Sequence, residues 1–464
     1  MTVLTDAWFA PRSLTCYEVK ARPMTAWTFI ELRDDAGLTG LAEITYGQGQ
    51  DGVVSMLARL AGRLRGERLS SDADVLSKLG FRPADVAKDI VLATAVSGIR
   101  SALADALARR AAVTLADFLS LGEARSSPAV PGAVHGAEDG ASRLISGRAD
   151  TGLLAGPLRT SGIVQGRPQR CVELYANINR ALLPRFPEKV LMPPEPSDRS
   201  PDGFAAIARK AVEAGFKTVK CAPFDECRAP FKTPGLPAET EAGLERVQAA
   251  KAAIGPERKL YVDCHSRFDL ASALALEPEL RAAGAAWYEE PLDPLVDGDN
   301  LRRVHEKAQL PMAGGEHGYG LDTFARLIKD GVVDIVMPDV KHCGGAAEAY
   351  RIGIEMERDK AMDLSTGSGW LRIASGCVSM HCPSGPVSLL TSAHVTHAFS
   401  QALNWGGGGL LPLEHAVYEA DWRKDVLGPV ERVESGALAL PDGPGLGAGL
   451  DYSTVLAHGR RWEP

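Results

Sequence analysis

The second half of the chain repeats one pattern, in which a short apolar strand is followed by an amphipathic helix. The strands read CVELYANI, FKTVKCAPF, KLYVDCHS, AAWYEEP, LPMAGGE and VVDIVMPD, and helices such as ETEAGLERVQAAKAAIG separate them. Six or more such units predict a parallel sheet closed into a (β/α) barrel. An open doubly wound sheet is the alternative, but it usually carries a glycine-rich phosphate loop after its first strand, and none is found there.

The 464 residues exceed what one hydrophobic core usually supports, so more than one domain is expected. Residues 1–124 hold two strand-like runs, AWTFIEL and LTGLAEI, and then a helical periodicity, which predicts an N-terminal α+β capping domain. Residues 125–168 form a Gly/Ala/Ser-rich insertion, for which a surface excursion or an oligomer contact is favoured over a catalytic role. The barrel is expected over 169–400, and 401–464 is expected to return to the capping domain.

The charge pattern and the cysteines limit the possible partners and location. The net charge is −8 without a basic face, which argues against nucleic acid. No apolar run approaches the roughly 20 residues needed to cross a bilayer, and MTVLTDAWFAPRS does not resemble a secretion signal. Eight scattered cysteines without a C-x-x-C pair predict reduced thiols and a cytoplasmic protein. Since closed symmetry is common among large barrels, a homo-oligomer is expected.

Polar residues fall where the predicted strands end. In barrel order they are Lys220, Asp263, Glu289, Glu316, Asp339 and His381. The four carboxylates are spaced by 26, 27 and 23 positions, about one strand–helix unit each. Because active sites of such barrels form at the carboxyl ends of the strands, these side chains are expected to share one cavity.

Asp263, Glu289 and Glu316 are the candidate metal ligands. Three carboxylates in one cavity raise each other's pKa unless a cation is present, and an all-oxygen ligand set suits Mg²⁺. The alternative is that each acid merely caps the helix that follows it. Mg²⁺ at this position would favour enolate chemistry on a small-molecule carboxylate substrate.

Removing a proton next to a carboxylate requires a base as well as a metal. His381 is one candidate, and Asp339 could orient its imidazole. Lys220 is the other, with a pKa expected to fall in a partly desolvated cavity beside a metal. Lys220 could instead form a salt bridge that only positions a carboxylate, such as that of the substrate.

His265 distinguishes between reaction classes. It follows Asp263 by two positions, and alternation along a strand would place both side chains on one face. A protonated His265 could then protonate a departing β-hydroxyl, which a dehydratase needs and a racemase does not. The alternative is that His265 only binds a substrate hydroxyl.

Five segments carry a family resemblance: VDCHSRFD, WYEEP, GGEHG, PDVKHCGG and HCPSGPV. They resemble the enolase superfamily, in its mandelate racemase and acid-sugar dehydratase branch, over nearly the whole chain. The N-terminal unit resembles that family's capping domain, and PDGPGLGAGLD resembles its C-terminal return. The resemblance implies Glu289 rather than Glu290 as ligand, a His381–Asp339 dyad, and His265 as general acid. It also implies that Glu414, in LLPLEHAVYE, is protonated and hydrogen-bonds the enediolate oxygen.

The sequence departs from the family pattern in three places. Thr218 stands where the family often has the first lysine of Lys-x-Lys, so only Lys220 remains. The 42 positions between Asp339 and His381 include DLSTGSGWLRIASG, interpreted as a lid or a longer loop. His317 replaces the usual Asn or Arg, and is expected either to touch substrate or to hydrogen-bond within the site.

Substrate contacts are expected from the cap and the first barrel strand. Loops around Lys20–Arg22–Met24 and Thr45–Gly47–Gln48 are expected to close over the barrel mouth, which makes Arg22 a candidate substrate-binding residue. Asn177, Asn179 and Arg180 could bind a polyol chain or serve the structure.

The favoured hypothesis is a Mg²⁺-dependent dehydratase that converts a sugar acid to a 2-keto-3-deoxy acid. A racemase, epimerase or cycloisomerase using Lys220 and His381 is the first alternative. A Schiff-base aldolase using Lys220 and a non-catalytic protein that kept the fold are the others.

Overall fold

The computed structural model describes residues 7–47, 49–126, 170–186, 197–232, 235–366, 376–403 and 410–464. Apart from its first two positions, the predicted insertion at 125–168 lies outside these residues. So do Gln48, in the second predicted cap loop, and positions 367–375 of the Gly/Ser-rich stretch between Asp339 and His381.

The described residues contain strands and helices with the following bounds. The strands are β1 (Ser13–Arg22), β2 (Thr25–Arg33), β3 (Thr39–Glu43), β4 (Cys171–Asn177), β5 (Thr218–Cys221), β6 (Lys259–Asp263), β7 (Trp287–Glu289), β8 (Met312–Gly314), β9 (Ile335–Val336), β10 (Leu413–Ala416), β11 (Val433–Glu434), β12 (Ala437–Ala439) and β13 (Gly459–Trp462). The helices are α1 (Gln50–Leu64), α2 (Asp72–Leu79), α3 (Pro83–Val86), α4 (Ile90–Arg110), α5 (Leu115–Ser126), α6 (Pro201–Glu213), α7 (Glu241–Ile254), α8 (Leu270–Ala282), α9 (Gly298–His305), α10 (Leu321–Lys329), α11 (Gly345–Thr366), α12 (Pro386–Ala402) and α13 (Tyr452–Ala457).

The cap is an antiparallel sheet in the order β13-β1-β2-β3, packed on helices. The predicted hairpin pairs Phe29 of β2 with Glu43 of β3. The C-terminal return is confirmed, because β13 pairs with β1 through Trp462 and Cys16. Helix α4 approaches β3 so closely that a side chain on Gly40 would collide with the carbonyl oxygen of Ala102.

Helix α4 is the central helix of the cap. By length and composition it could cross a membrane, since its 21 residues contain a window with a mean hydropathy of 1.5. However, 83% of that window is buried inside the fold, as expected for a core helix. Asp89 caps its N-terminus by accepting hydrogen bonds from the backbone N–H groups of Val91 and Leu92.

Strands β4 to β9 form a parallel sheet in sequence order, and β10 pairs with the edge of β4 opposite β5. The remaining gap is spanned by residues 377–381. Val378 bridges Val336 of β9 in parallel, and Glu414 N of β10 donates a 3.2 Å hydrogen bond to Met380 O. The ring in the described residues therefore has eight segments, with 377–381 as the seventh, and the predicted capped (β/α) barrel is confirmed.

Two details differ from the sequence-based expectation. CVSM, predicted as a strand, forms one isolated bridge and no regular strand. The segment 401–464 supplies the barrel strand β10 before it returns to the cap, and its β11–β12 hairpin packs antiparallel on the start of β4.

Glu43, at the end of β3, joins the cap to the barrel. Its buried carboxylate accepts hydrogen bonds from Gly385 N (2.8 Å) and Ser388 N (2.9 Å) at the start of α12, and from Thr45 Oγ1 (2.7 Å). Burial raises the pKa of Glu43, and nearby Lys341 opposes that shift.

Replacing Glu43 with alanine is expected to lower the free energy of unfolding by about 1–3 kcal/mol, because two buried N–H groups lose their acceptor. Urea unfolding measures the change. The control is Glu67→Ala, which breaks an exposed surface pair with Lys78 and should lower the free energy of unfolding much less. Equal losses in both variants would contradict the role given to Glu43.

Candidate active site

The predicted acidic residues converge at the carboxyl ends of the barrel strands. Asp263 ends β6 and Glu289 ends β7, and the two are paired directly in the sheet register. Glu316 lies two residues beyond β8. Asp263 and Glu316 line a cavity of about 270 Å³, whereas Glu289 lies beneath it and is 1% exposed.

Lys220, in β5, is fully buried among three carboxylates. Its Nζ lies 2.6 Å from Glu289 Oε1, 2.8 Å from Glu414 Oε1 and 3.5 Å from Asp263 Oδ2. Burial alone would lower the pKa of Lys220, but Glu289 and Glu414 outweigh it and hold that pKa well above its ordinary value. The expected fall of this pKa was for a lysine beside a metal ion, and it stays a prediction. Lys220 is a salt-bridged cation that does not line the cavity.

The carboxylates Asp263, Glu289 and Glu316 fit a hard divalent cation. Burial, reinforced by Asp263, raises the pKa of Glu289 well above its ordinary value. Glu289 Oε2 is buried with no hydrogen-bond partner among the described residues, and a cation would satisfy that acceptor. In the described part of the chain, no three His, Cys, Asp or Glu side chains are already grouped as a metal site. Each of the three carboxylates is paired with a lysine or histidine nitrogen instead.

His381 and Asp339 are brought together as a buried pair. His381 Nδ1 lies 2.9 Å from Asp339 Oδ2, and His381 Nε2 lies 2.7 Å from Glu316 Oε2. Asp339 is completely buried, and it also accepts a 2.8 Å hydrogen bond from Lys341 N and contacts the ammonium of Lys341. Burial raises the pKa of Asp339, but Lys341 and His381 outweigh burial and hold it below its ordinary value.

The side chain of His265 contacts Asp263, but the contact comes from a turn and not from alternation along a strand. Strand β6 ends at Asp263, and His265 follows in a turn with a positive φ of 46°. Its Nε2 still lies 3.2 Å from Asp263 Oδ2, and its Nδ1 lies 2.6 Å from Asp225 Oδ1. Burial would lower the pKa of His265, but Asp263 and Asp225 hold it well above its ordinary value. The side chain is 36% exposed and lines the cavity.

Glu414, which is expected to be protonated, is surrounded by hydrogen-bond donors and cations, and its protonation stays a prediction. Its Oε1 accepts from Asn177 Nδ2 (2.7 Å) and faces Lys220, and its Oε2 accepts from Cys382 N (2.8 Å). Although burial raises the pKa of Glu414, Lys220 and His381 outweigh it and lower that pKa below its ordinary value. Asn177 lines the cavity, and its side-chain amide donates to Glu414.

The cap forms the upper wall of the cavity. Met24 and Thr25 line it from the β1–β2 turn, and Thr45 to Gly47 line it from the segment after β3. His317 lies on the barrel side with 47% of its side chain exposed, and its ring contacts that of Tyr46 edge-on at 6.4 Å.

Arg22 is not a substrate-binding residue, contrary to the sequence-based expectation. It is 1% exposed and does not line the cavity. Its guanidinium donates to three backbone carbonyls, those of Glu419 (2.9 Å), Tyr418 (2.7 Å) and Leu183 (2.5 Å). The β1–β2 register shifts between Lys20 and Arg22, which changes the face to which the side chain points.

Sequence reasoning missed three residues of the site. Asp225, beyond β5, pairs with His265, and Lys341 supports Asp339. Tyr46 reaches the barrel from the cap and contacts His317 and His342. Lys341 had a signal, because it lies two positions after Asp339 within PDVKHCGG. The contacts of Asp225 and Tyr46 depend on tertiary structure.

Comparison with known proteins agrees with this geometry. The sequence model of the enolase C-terminal domain-like family matches residues 203–454. A D-xylonate dehydratase from Haloferax volcanii is 29% identical over 220 residues, which are 47% of this chain and 48% of that protein. A D-galactonate dehydratase from Verminephrobacter eiseniae is 28% identical over 265 residues, which are 57% of this chain and 63% of that protein. The chain thus spans less than two thirds of the length of these relatives.

The fold comparison covers nearly the whole chain. A crystal structure of a member of the enolase superfamily from Salmonella Typhimurium superimposes with a TM-score of 0.71. The alignment covers 98% of this chain and 99% of that one at 18% identity, so it supports the fold alone. The matched sequence model covers more than half of the chain and includes the strand ends from Lys220 to Glu414. The chain therefore belongs to the enolase C-terminal domain-like family, as its strand-end motifs predicted.

Proposed function

We propose that this protein is a hydro-lyase, a Mg²⁺-dependent dehydratase of a sugar acid. The observation that carries the proposal is the placement of two histidines on opposite sides of the barrel mouth. His265 follows the third segment of the eight-segment ring, and His381 ends the seventh. Both line the cavity, and each contacts one of the proposed metal ligands. A base and an acid that face one substrate from opposite sides suit elimination. The named sugar-acid dehydratases among the relatives support the same class.

His381 would act as the base that takes the α-proton. Its Nδ1–H donates to Asp339, which fixes the ring and directs Nε2 toward the cavity. His265 would give its proton to the β-hydroxyl, which leaves as water when the C–O bond breaks. The resulting enol becomes the 2-keto-3-deoxy acid, so the substrate loses one water molecule in total.

Asp263, Glu289 and Glu316 would hold the Mg²⁺, which when bound supplies positive charge to the substrate carboxylate as the α-proton leaves. We leave Glu290 out of this set because its carboxylate is engaged by the backbone. Its Oε1 accepts a 2.7 Å hydrogen bond from Gly315 N, and burial together with Glu316 raises its pKa to about 8.

The variants Glu289→Gln and Glu290→Gln form a matched pair for the metal. Glu289→Gln is expected to weaken Mg²⁺ binding at least about 10-fold in calorimetric titration, because a proposed ligand loses its charge. Glu290→Gln is expected to bind Mg²⁺ like the unmodified protein, since a glutamine oxygen can still accept from Gly315. Equal Mg²⁺ affinity in both variants would contradict the proposed ligand set.

The proposed function is tested by incubation with a panel of aldonic and aldaric acids and Mg²⁺, with detection of 2-keto acids. At least one acid is expected to yield a 2-keto-3-deoxy product. If Mg²⁺ is bound and no acid on the panel loses water, the dehydratase proposal is wrong.

The two-base alternative is disfavoured by the position of Lys220. A racemase or epimerase would need Lys220 at the substrate, but that side chain is enclosed by Glu289, Glu414 and Asp263. The same burial disfavours a Schiff-base aldolase, which needs an accessible neutral amine.

A cytoplasmic homo-oligomer remains part of the proposal. All eight cysteines are free thiols and seven of them are buried, which is compatible with a reducing compartment. Light scattering coupled to gel filtration would measure the oligomeric mass, and a monomer would contradict the proposed oligomer.

A further inference from the structure

We propose that Arg180 recognises a second carboxylate at the far end of the substrate, so that the preferred substrate is an aldaric, dicarboxylic sugar acid. This inference rests on the proposed function and narrows its substrate class. An aldonic acid carries a hydroxymethyl group at that end and would lack the charge that Arg180 binds.

The position of Arg180 gives the first argument. It lies in a 3-10 helix, Asn179–Leu182, directly after β4, the first segment of the ring. The proposed metal ligands follow the third, fourth and fifth segments, β6 to β8. Arg180 therefore lies across the mouth from Glu316, which follows the fifth segment, and Arg180, Asp263 and Glu316 line the same cavity. A substrate with one carboxylate at the proposed metal ligands would pass between His265 and His381 toward Arg180.

The charge around Arg180 gives the second argument. In the part of the chain that the structure describes, the guanidinium of Arg180 forms no ion pair or hydrogen bond with another residue. The positive charge of Arg180 acts on the buried acid Glu419. Burial raises the pKa of Glu419, and Arg180 opposes that shift. Glu419 Oε2 already lies 3.3 Å from Arg423 Nη1. Burial lowers the pKa of Arg22, and the positive charges of Arg185 and Arg180 lower it further. The hydrogen bonds of Arg22 go to neutral backbone carbonyls.

The chemistry of the guanidinium selects the ligand. Its planar set of donors matches the two oxygens of a carboxylate, which can accept in a bidentate arrangement. A hydroxymethyl group offers one neutral oxygen and no charge. Because Arg180 lines the cavity, it distinguishes an aldaric from an aldonic acid of the same configuration.

Matched pairs of probes test the inference: galactarate with galactonate, and glucarate with gluconate. The unmodified protein is expected to prefer the diacid by about 10- to 100-fold in kcat/KM and in calorimetric Kd. Arg180→Gln should reduce the ratio between diacid and monoacid to about 2-fold or less, and Arg180→Lys should restore part of it. Arg185→Gln is the control, because Arg185 does not line the cavity.

The outcomes separate this inference from the proposed function. If diacid and monoacid weaken equally in Arg180→Gln, or if neither changes, the inference is overturned even when dehydration is observed. If no acid is dehydrated but diacids bind more tightly and lose that advantage in Arg180→Gln, the inference stands and the proposed function fails. A preference for diacids that Arg185→Gln removes and Arg180→Gln keeps would also overturn it.

Discussion

Replacing His381 with asparagine is expected to reduce turnover of the sugar acid by about 10²- to 10⁴-fold, the usual contribution of a general base. Asparagine cannot take the α-proton, so both product formation and exchange of the α-hydrogen with deuterated solvent should fall together. Folding should be preserved, because the described contacts of the His381 imidazole are with side chains of the site, Asp339, Glu316 and Glu414. Urea unfolding and Mg²⁺ titration check that the variant is otherwise intact.

Asp339→Asn should also reduce turnover of the sugar acid strongly, since His381 Nδ1–H would lose the carboxylate that fixes its orientation. His397→Asn is the control, because His397 lies on α12 and does not line the cavity. Exchange of the α-hydrogen that continues at the original rate in His381→Asn would contradict the assignment of the base.

The strand ends were predictable because they follow from regular geometry. One strand–helix unit advances the chain by one segment of the barrel, so carboxylates spaced by 23 to 27 positions must meet at one edge. The direct pairing of Asp263 with Glu289 is the result. The antiparallel hairpin of the cap was predictable from local strand propensity and its turn in the same way.

The direction of Arg22 was not predictable, because one irregularity reverses the alternation of a strand. The register shift after Lys20 turns Arg22 away from the barrel mouth. Its acceptors are carbonyls of Leu183, Tyr418 and Glu419, which are distant in sequence and carry no side-chain signal.

The charge states of Lys220 and Glu414 were not predictable from spacing either. Burial alone would neutralise both groups, and the sign of each shift depends on how many opposite charges lie within a few ångströms. Lys220 has three carboxylates within 3.5 Å, including Glu414 itself at 2.8 Å. These contacts favour the ionised form of both groups, and the protonation expected at Glu414 stays a prediction.

Replacing His265 with asparagine is expected to separate two steps that His381→Asn stops together. Loss of water should fall by about 10²- to 10⁴-fold, since the β-hydroxyl loses its general acid. Exchange of the α-hydrogen with deuterated solvent should remain within a few-fold, because His381, Asp339 and the opposite side of the mouth are unchanged. Mass spectrometry of recovered substrate measures the exchange, and the 2-keto acid assay measures elimination.

The ratio of exchange to elimination is the quantity that assigns His265. A His265 that only binds a substrate hydroxyl would, when replaced, weaken KM and reduce both steps in proportion. A His265 that acts in neither step would leave both rates unchanged, as in a racemase or epimerase. Asp225→Asn provides the companion test, because Asp225 contacts His265 Nδ1 at 2.6 Å and raises its pKa. It should lower elimination in the same selective way, although less strongly, since the imidazole remains in place.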